Sequence, residues 1–438
     1  MAEILAAGEK VKIKFSEKEF SFPAIIGTEG ERAVDISELR AQTSHITYDP
    51  GYANTGACLS SITFIDGEKG ILRYRGIPIE QLAERSTFVE TSHLLIHGKL
   101  PTQKELSQFS QKLTEHAPLH EDVKKIFSGI PKETHPMATL SGMVSFLSGF
   151  YPTSLDPKQD EAQINESAAQ LISKVRTIAA YIYRKSVGES FVPPNDTYSY
   201  CANFLHMMFS GRKEKYILNE EAVKALNLLL ILHADHEQNC SASTVRLVGS
   251  SRTNLFASIA AGICALWGPL HGGANQEVME MLEQIHTSGK GIEDYIRMAT
   301  EPKSQLRLFG FGHRVYKTYD PRAKVIKDAC YRLIEKFGVN DPLLEIALKL
   351  ERAALKNEFF ITRHLYPNVD FYSGIIYKIL GIPTNMFTVM FAIGRLPGWI
   401  AHWKEMRDFK PARIGRPRQI YTGRLKTDYV PIEARTGT

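Results

Sequence analysis

The sequence predicts a mainly α-helical protein with a small β-rich unit at its N-terminus. Two observations support this fold class: apolar and polar residues alternate before about residue 60, and helix signals dominate after one hairpin. The chain has 438 residues, 43% of them hydrophobic and 23% charged, which is enough to bury one large core. We find no fixed-period repeat and no low-complexity tract.

The β-rich unit is predicted from two alternating runs, VKIKF at 11–15 and EFSFPAIIG at 19–27. A hairpin is expected in ITFIDGEKGILRYRG, where Asp66 and Gly67 begin the turn between two runs rich in β-branched and aromatic residues. The strands are therefore expected to precede the helical body.

Helix starts are marked by local capping patterns. Thr87 and Thr102 each begin a T-x-x-E sequence, and Asp341 precedes a proline and an apolar stripe at helical spacing. The uncharged run 255–270, LFASIAAGICALWGPL, is shorter than the roughly 18 residues needed to span a bilayer. It predicts a central helix that is packed on all sides.

Charge and cysteine content narrow the functional class. The net charge of +5 permits anionic ligands but lacks the dense basic patterning of a nucleic-acid-binding protein. The N-terminus has neither a secretory nor an organelle-targeting pattern, so a cytoplasmic protein is expected. The five scattered cysteines form no CxxC pair and are expected to be reduced and mostly buried: Cys58, Cys201, Cys240, Cys264 and Cys330.

Four short segments carry candidate chemistry, and the first is LHADHEQN at 232–239. On a helix, His233 and His236 would share a face, with Glu237 beside them. The zincin pattern requires H-E-x-x-H, which this segment does not match. By spacing alone, a metal site, a core or capping histidine and a substrate hydrogen bond all remain open.

The other three segments each hold one candidate residue. WGPLHGGANQ at 267–276 places His271 before two glycines, which would let another molecule approach the backbone, although a structural histidine at a helix end is equally open. GFGHRVYKTYDPR at 310–322 gathers His313 with several cations and differs from known phosphate loops. YPNVDFYSG at 366–374 holds Asp370 among apolar residues, where it could be a strong base or a helix N-cap.

Taken in order, these segments resemble the citrate synthase family, as do YRGIPIEQLA at 74–83, GRLPGWIAHW at 394–403 and RPRQIYTG at 416–423. The resemblance covers essentially the whole chain. The β-rich N-terminus is similar to that of bacterial forms, which assemble as dimers or as hexamers. The family fold has a large and a small helical domain, which implies four segments here: a β-rich unit at 1–60, the large domain at 61–275, the small domain at 276–380 and the rest of the large domain at 381–438.

The resemblance also implies a role for each matching residue. Asp370 would be the base, His271 the donor to the enolate oxygen, and His313 the acid at the oxaloacetate carbonyl. Oxaloacetate would be held by His236, His313, Arg322, Phe391, Arg395 and Arg416, the last reaching in from a partner subunit. CoA would contact Arg307, Leu308, Phe309, Gly310, Phe311, Gly312 and Lys317.

The activity implied is that of a citrate (Si)-synthase, an acyltransferase that condenses acetyl-CoA with oxaloacetate and water to give citrate and CoA. The resemblance implies a cytoplasmic, allosteric homo-oligomer of the tricarboxylic acid cycle that needs no metal or other cofactor and contacts neither nucleic acid nor membrane. The alternatives are a 2-methylcitrate synthase that uses propionyl-CoA, a catalytically silent CoA or dicarboxylate binder, and a metal-dependent hydrolase. An apolar pocket distinguishes one methylene by only about 1–3 kcal/mol, so the acyl group is not decided by these residues.

Overall fold

The computed structural model describes residues 8–211, 216–301, 306–338 and 341–435. The chain divides into two compact units, Met1–Ser60 and Ser61–Thr438, and each is described by itself.

The first unit contains an antiparallel sheet of three strands in the order β1-β2-β3. Alternation in the sequence places Phe22 and Ala24 of the middle strand on its buried side. The predicted β-rich unit is thereby confirmed. Its elements are β1 (Lys10–Phe15), β2 (Lys18–Ile26), β3 (Arg32–Val34) and α1 (Leu39–Thr43).

The second unit is mainly helical, as predicted, and begins with the expected hairpin. Its strands form one antiparallel sheet: β4 (Thr63–Asp66), β5 (Ile71–Tyr74) and β6 (Ile77–Pro78). Its α-helices are α2 (Ile79–Arg85), α3 (Phe88–His97), α4 (Gln103–Glu115), α5 (Glu121–Ser128), α6 (Pro136–Leu147), α7 (Pro157–Ala162), α8 (Ile164–Val187), α9 (Tyr200–Phe209), α10 (Glu220–His233), α11 (Cys240–Gly249), α12 (Leu255–Trp267), α13 (Ala274–Ser288), α14 (Ile292–Thr300), α15 (Pro321–Phe337), α16 (Pro342–Ala354), α17 (Glu358–Thr362), α18 (Val369–Ile379) and α19 (Phe387–Asp408).

The predicted helix starts are found where the caps were expected. Thr102 and Glu105 form the complete reciprocal capping box of α4. Thr87 caps α3 by accepting from the backbone N–H of Glu90, and Asp341 caps α16 through the N–H of the residue after its proline. The positions at which these helices begin can be predicted from local sequence, because each cap involves only residues within one helical turn.

Helix α19 lies at the centre of the core and contacts α3, α8, α10, α11 and α12. Glycines make this close packing possible. A Cβ at Gly394 would lie 3.0 Å from Cβ of His233, and one at Gly398 would collide with the carbonyl oxygen of Ala234. The end of α10 is therefore held directly against α19, which carries Phe391 and Arg395.

Two expectations about burial are wrong. Helix α12 is not packed on all sides, because Cys264 and Trp267 are exposed along one edge. The five cysteines are thiols, as expected, but only Cys201 and Cys330 are buried in this chain, whereas Cys240 is exposed. Apolar composition predicted burial of the whole helix, but it does not reveal which face has a neighbour within one chain. Within the described ranges, no helix is both long and apolar enough to cross a membrane.

Candidate active site

Backbone hydrogen bonds hold the glycine-rich loop against the start of α18. The N–H of Gly312 donates to the carbonyl of Tyr366 at 2.8 Å, and the N–H of Asn368 donates to that of Gly310 at 2.8 Å. The side-chain amide of Asn368 adds a third bond, to the carbonyl of Gly312 at 2.8 Å. Gly310 and Gly312 have φ of 81° and 75°, a region that favours glycine. This pairing brings the loop that carries His313 to the helix that begins beside Asp370.

The ring of His313 is fixed by its own loop. Its Nδ1 accepts from the backbone N–H groups of Val315 at 3.1 Å and Tyr316 at 3.3 Å. Burial and then the charge of Arg322 lower the pKa of His313 to about 4, while Asp320 acts in the opposite direction. The imidazole is therefore neutral near pH 7, and its proton is on Nε2.

His236 lies beyond the end of α10, not on it. The helix ends at His233, and Glu237 follows with a positive φ of 50°. The expectation that both histidines share one helical face is therefore wrong, because the chain turns between them. His236 Nε2 lies 3.2 Å from the hydroxyl of Tyr316, and its ring centroid is 5.4 Å from that of His313.

His233 and Glu237 of the HADHE segment have separate hydrogen-bond partners. The Nδ1 of His233 donates to the carbonyl of Leu229 at 2.7 Å, while Glu237 accepts from the backbone N–H of Ile65 at 3.0 Å. Within the described parts of the chain, we find no group of three or more metal-ligating side chains. The contacts of this segment are those of packing and hydrogen bonding.

His271 lies in the turn between α12 and α13, where its N–H donates to the carbonyl of Gly268 at 2.9 Å. Its Nε2 accepts from the backbone N–H of Ser241 at 3.3 Å and lies 2.8 Å from the hydroxyl of the same residue. The same hydroxyl accepts a hydrogen bond from the indole N–H of Trp399 at 3.0 Å. Burial lowers the pKa of His271 to about 4, so the ring is neutral near pH 7. Because Nε2 accepts the backbone N–H of Ser241, the proton of the neutral ring is on Nδ1.

Asp370 lies in the first turn of α18, and the N-cap of this helix is Asn368. The alternative that Asp370 itself caps the helix is therefore wrong. Burial raises the pKa of Asp370 to about 6, although Arg322 and Arg395 oppose the effect. Since Asp320 adds to the increase, the carboxylate is a stronger base than an exposed aspartate.

Two buried arginines adjoin these groups. Arg322 forms a side-on fork with Asp320, in which Nε and Nη2 donate to the two carboxylate oxygens at 3.1 and 3.0 Å. Arg395 donates from Nε to the carbonyl of His233 at 2.7 Å, and its Nη1 has no partner among the described residues. Its guanidinium lies 4.9 Å from the ring centroid of Phe391. The free donor of Arg395 is suited to an anionic ligand.

The pKa of His236 is lowered by several groups of the site. Burial is the largest cause, and the others are Arg322, His313, Arg395 and His271. Phe391 lies within ring-contact distance of His271, at 6.4 Å between centroids. The structure therefore gathers most of the predicted catalytic and oxaloacetate residues in one cluster, in which Arg322, Phe391 and Arg395 are buried and His236, His271, His313 and Asp370 are partly buried.

Arg416 and the predicted CoA residues lie apart from this cluster or at its edge. Arg416 is exposed in the segment 409–435, which is exposed throughout its length in this chain. Lys317 is also exposed, and its backbone N–H donates to the carbonyl of Gly67. The loop 307–312 runs from the exposed Arg307 to the pairing with α18.

Sequence reasoning missed the groups that orient the predicted residues. Ser241 and Trp399 position His271, Tyr316 contacts His236, and Asp320 forms the fork with Arg322. Only Asp320 could have been found from local sequence. Its spacing to Arg322 in the DPR turn allows Asp320 both to cap α15 and to form an ion pair with Arg322. The other three depend on contacts between distant parts of the chain.

The chain is similar to known proteins of one family. Residues 51–418 match the family described as citrate synthase, C-terminal domain. Citrate synthase 1 of Mycobacterium tuberculosis is 53% identical over 423 residues, which are 97% of this chain and 98% of the relative. A citrate synthase of Corynebacterium glutamicum is 48% identical over 427 residues, 97% of each chain.

Solved structures show the same similarity. A crystal structure of citrate synthase from Pyrobaculum aerophilum has a TM-score of 0.79 and 36% identity, covering 98% of this chain and all of the other. A citrate synthase from Thermoplasma acidophilum, in a ternary complex with carboxymethyl coenzyme A and oxaloacetate, has a TM-score of 0.79 and 32% identity. That match covers 89% of this chain and 100% of the other.

Proposed function

Because the chain belongs to the citrate synthase family, we propose that Asp370, His271 and His313 carry out its condensation chemistry. The protein is an acyltransferase that condenses acetyl-CoA with oxaloacetate to citrate. The observation that carries the proposal is the tautomer of each imidazole: both rings accept a backbone N–H on one nitrogen and keep a proton on the other. Each ring is therefore a neutral, preoriented hydrogen-bond donor.

The first step removes a proton from the methyl group of acetyl-CoA. Asp370 takes this proton, since burial makes its carboxylate more basic than usual. The thioester oxygen gains negative charge as the enolate forms, and the Nδ1–H of His271 donates to it. A base without this donor would leave much of the activation barrier to deprotonation in place, because a thioester methyl is a very weak acid.

The second step joins the enolate carbon to the carbonyl carbon of oxaloacetate. His313 donates from Nε2 to the carbonyl oxygen, which receives the proton as the new carbon–carbon bond forms. Water then attacks the thioester carbon, the carbon–sulfur bond breaks, and citrate and CoA leave. Side chains and water serve every proton transfer in this sequence, and we propose that no metal or other cofactor takes part.

Oxaloacetate is proposed to bind through its two carboxylates. Arg395 offers its free Nη1, while Arg322 is held in place by Asp320 and His236 by Tyr316. Charge-assisted bonds of this kind fix orientation as well as adding affinity. Phe391 packs against the substrate, and the loop 307–312 with Lys317 is proposed to hold CoA.

We assign Arg416 to the active site of a partner subunit, in a homodimer at least. The segment 409–435 supports this, because it exposes Ile414, Ile420, Tyr421 and Leu425, with Leu425 at 91% of its full area. The exposed edge of α12, with Cys264 and Trp267, is a second apolar surface of this chain. Because the relatives are bacterial, we propose that the enzyme is cytoplasmic. We also propose that a metabolite regulates it.

The domain division is also proposed from the family. A small domain at 276–380 would contain α13 to α18, and the large domain would be formed by 61–275 and 381–438. His271 and Asp370 then lie at the junction, so closure on oxaloacetate would exclude water from the enolate. Small-angle scattering with and without saturating oxaloacetate tests this motion, and identical profiles would contradict it.

A thiol reagent tests the activity by following CoA release from acetyl-CoA and from propionyl-CoA, each with and without oxaloacetate. Faster, oxaloacetate-dependent release from acetyl-CoA is expected. Faster release from propionyl-CoA would assign 2-methylcitrate synthase activity, which the comparisons do not favour. No release from either, with both ligands bound, would indicate a silent binder.

A further inference from the structure

A cavity separate from the predicted catalytic residues lies among α2, α4, α8, α9, α10 and α15. Its volume is about 850 Å³, within the range of metabolite-sized sites. None of the residues assigned above to catalysis, oxaloacetate or CoA lines it. Its walls are partly apolar and partly hydroxylic, with Ser110, Thr114 and Ser199 among them.

One wall of this cavity carries a buried arginine whose hydrogen bonding is incomplete. Arg176 of α8 is 2% exposed, and only its Nη1 donates, to the carbonyl of Tyr200 at 3.2 Å. Its Nε and Nη2 are buried and have no hydrogen-bond partner among the described residues. An unpaired buried charge is costly, so a side chain of this kind needs a counter-ion.

The two unpaired atoms of Arg176 define the geometry of that counter-ion. Nε and Nη2 form the side-on edge of a guanidinium, and Arg322 uses this same edge to hold the carboxylate of Asp320. The acidic residues that line the cavity are already paired. Glu221 pairs with Lys224 and Lys336, and Glu84 with its neighbour Arg85.

We propose that this cavity binds a small anionic metabolite, whose carboxylate or phosphate group is held side-on by Arg176. The ring of Tyr200, 4.4 Å from the guanidinium, supports the arginine from one face. The hydroxyl groups on the cavity wall suit the polar part of such a ligand, and the apolar residues suit its carbon skeleton.

Two helices connect this cavity to the oxaloacetate site. Ala329 of α15 lines the cavity and lies about 10 Å along the helix axis from Arg322. Leu228 of α10 also lines it, and the same helix ends at His233, whose carbonyl holds Arg395. A bound anion would therefore alter the affinity for oxaloacetate, a consequence that rests on the roles proposed above for Arg322 and Arg395.

Binding is tested on the full-length enzyme by thermal unfolding, with saturating oxaloacetate present to occupy the catalytic arginines. Inorganic phosphate and succinate serve as separate probes, and a response to one alone identifies the preferred oxyanion. In the wild type we expect the melting temperature to rise by about 2 °C or more. Arg176→Met should abolish this rise, whereas Arg40→Met, which removes an exposed cation elsewhere, should keep it.

An equal rise in Arg176→Met, or no rise with either probe in the wild type, would overturn the proposal. Selenate soaked into wild-type crystals gives a second measurement that needs no variant. An anomalous peak within hydrogen-bond distance of Arg176 Nε and Nη2 is expected, and selenate found only elsewhere would contradict the site.

Coupling is measured separately as the apparent KM for oxaloacetate with and without phosphate. A change of about 5-fold or more is expected in the wild type and not in Arg176→Met. Phosphate that merely competes at the catalytic arginines would raise KM equally in both, which would overturn the coupling but not the binding site. A wild-type protein that shows the Arg176-dependent rise in melting temperature but has no turnover would instead count against the catalytic assignments.

Discussion

Replacing Asp370 by asparagine should inactivate the enzyme and stabilise its fold at the same time. Burial raises the pKa of this carboxyl from its ordinary value of 3.8 to about 6. A difference of about 2 pKa units corresponds to about 3 kcal/mol of destabilisation when the group is ionised. A negative charge in the first turn of α18 interacts favourably with the helix dipole, which offsets up to about 1 kcal/mol of this destabilisation. Asp370→Asn should therefore raise the free energy of unfolding by about 2 kcal/mol at neutral pH.

The sign of this effect depends on pH. A carboxyl whose pKa is raised on folding favours the native state below its unfolded pKa, and that contribution is lost as the pH rises through about 6. The stability difference between variant and wild type should therefore be largest above pH 6 and shrink as the pH falls below it. Thermal or urea unfolding at several pH values measures it, alongside a loss of about 10²–10⁴-fold in the rate of CoA release.

Asp294→Asn is the matched control, because Asp294 also lies in the first turn of a helix but is about half exposed and is paired with Arg297. Its replacement should slightly destabilise the protein and leave turnover unchanged. An Asp370→Asn protein that is no more stable than the wild type at pH 7.5, or that turns over normally, would refute the reasoning about burial and the base.

Three further predictions follow from the site. The pH profile of kcat/KM should have an acidic limb near pH 6, because Asp370 must be ionised while both catalytic imidazoles stay neutral down to about pH 4; a flat profile between pH 5 and 8 would contradict this. Gly310→Ala should destabilise the protein by about 1–3 kcal/mol and lower activity, since its φ is +81° and a Cβ would lie 2.8 Å from Val278 Cγ2. Gly289→Ala, at φ +67° with open space around it, should show only the smaller backbone cost in the same unfolding assay, and equal losses would show that the contact is unimportant. Arg416→Met should be nearly inactive alone, yet mixing it with Asp370→Asn under exchange should restore about a quarter of wild-type activity, as expected for a site shared between two subunits. No restoration, with mixed dimers detected by light scattering and mass spectrometry, would place Arg416 outside the partner's site.

The predicted site residues differ in how far the structure connects them. His236, His271, His313, Arg322 and Asp370 share one electrostatic environment, as the causes of their pKa changes show. Arg416 and Lys317 are exposed in the single chain, so their roles stay predictions that need the partner or the ligand.

Local sequence determined the features that depend on neighbours within a turn or a strand. The cap Thr102 with Glu105, the start of α16 at Asp341 and the alternation of β2 all involve groups a few residues apart. The motifs containing His271, His313 and Asp370 were sufficient to indicate the family and its chemistry.

Only the tertiary structure decided the protonation and orientation of these groups. The proton position on His271 depends on Ser241, 30 residues away, and the hold on Arg395 depends on His233, 162 residues away. The basicity of Asp370 and the incomplete pairing of Arg176 arise from burial by several helices. Desolvation and long-range hydrogen bonds depend on everything that surrounds a group in the folded protein. A sequence pattern shows which residues adjoin that group along the chain, but not which residues adjoin it in space.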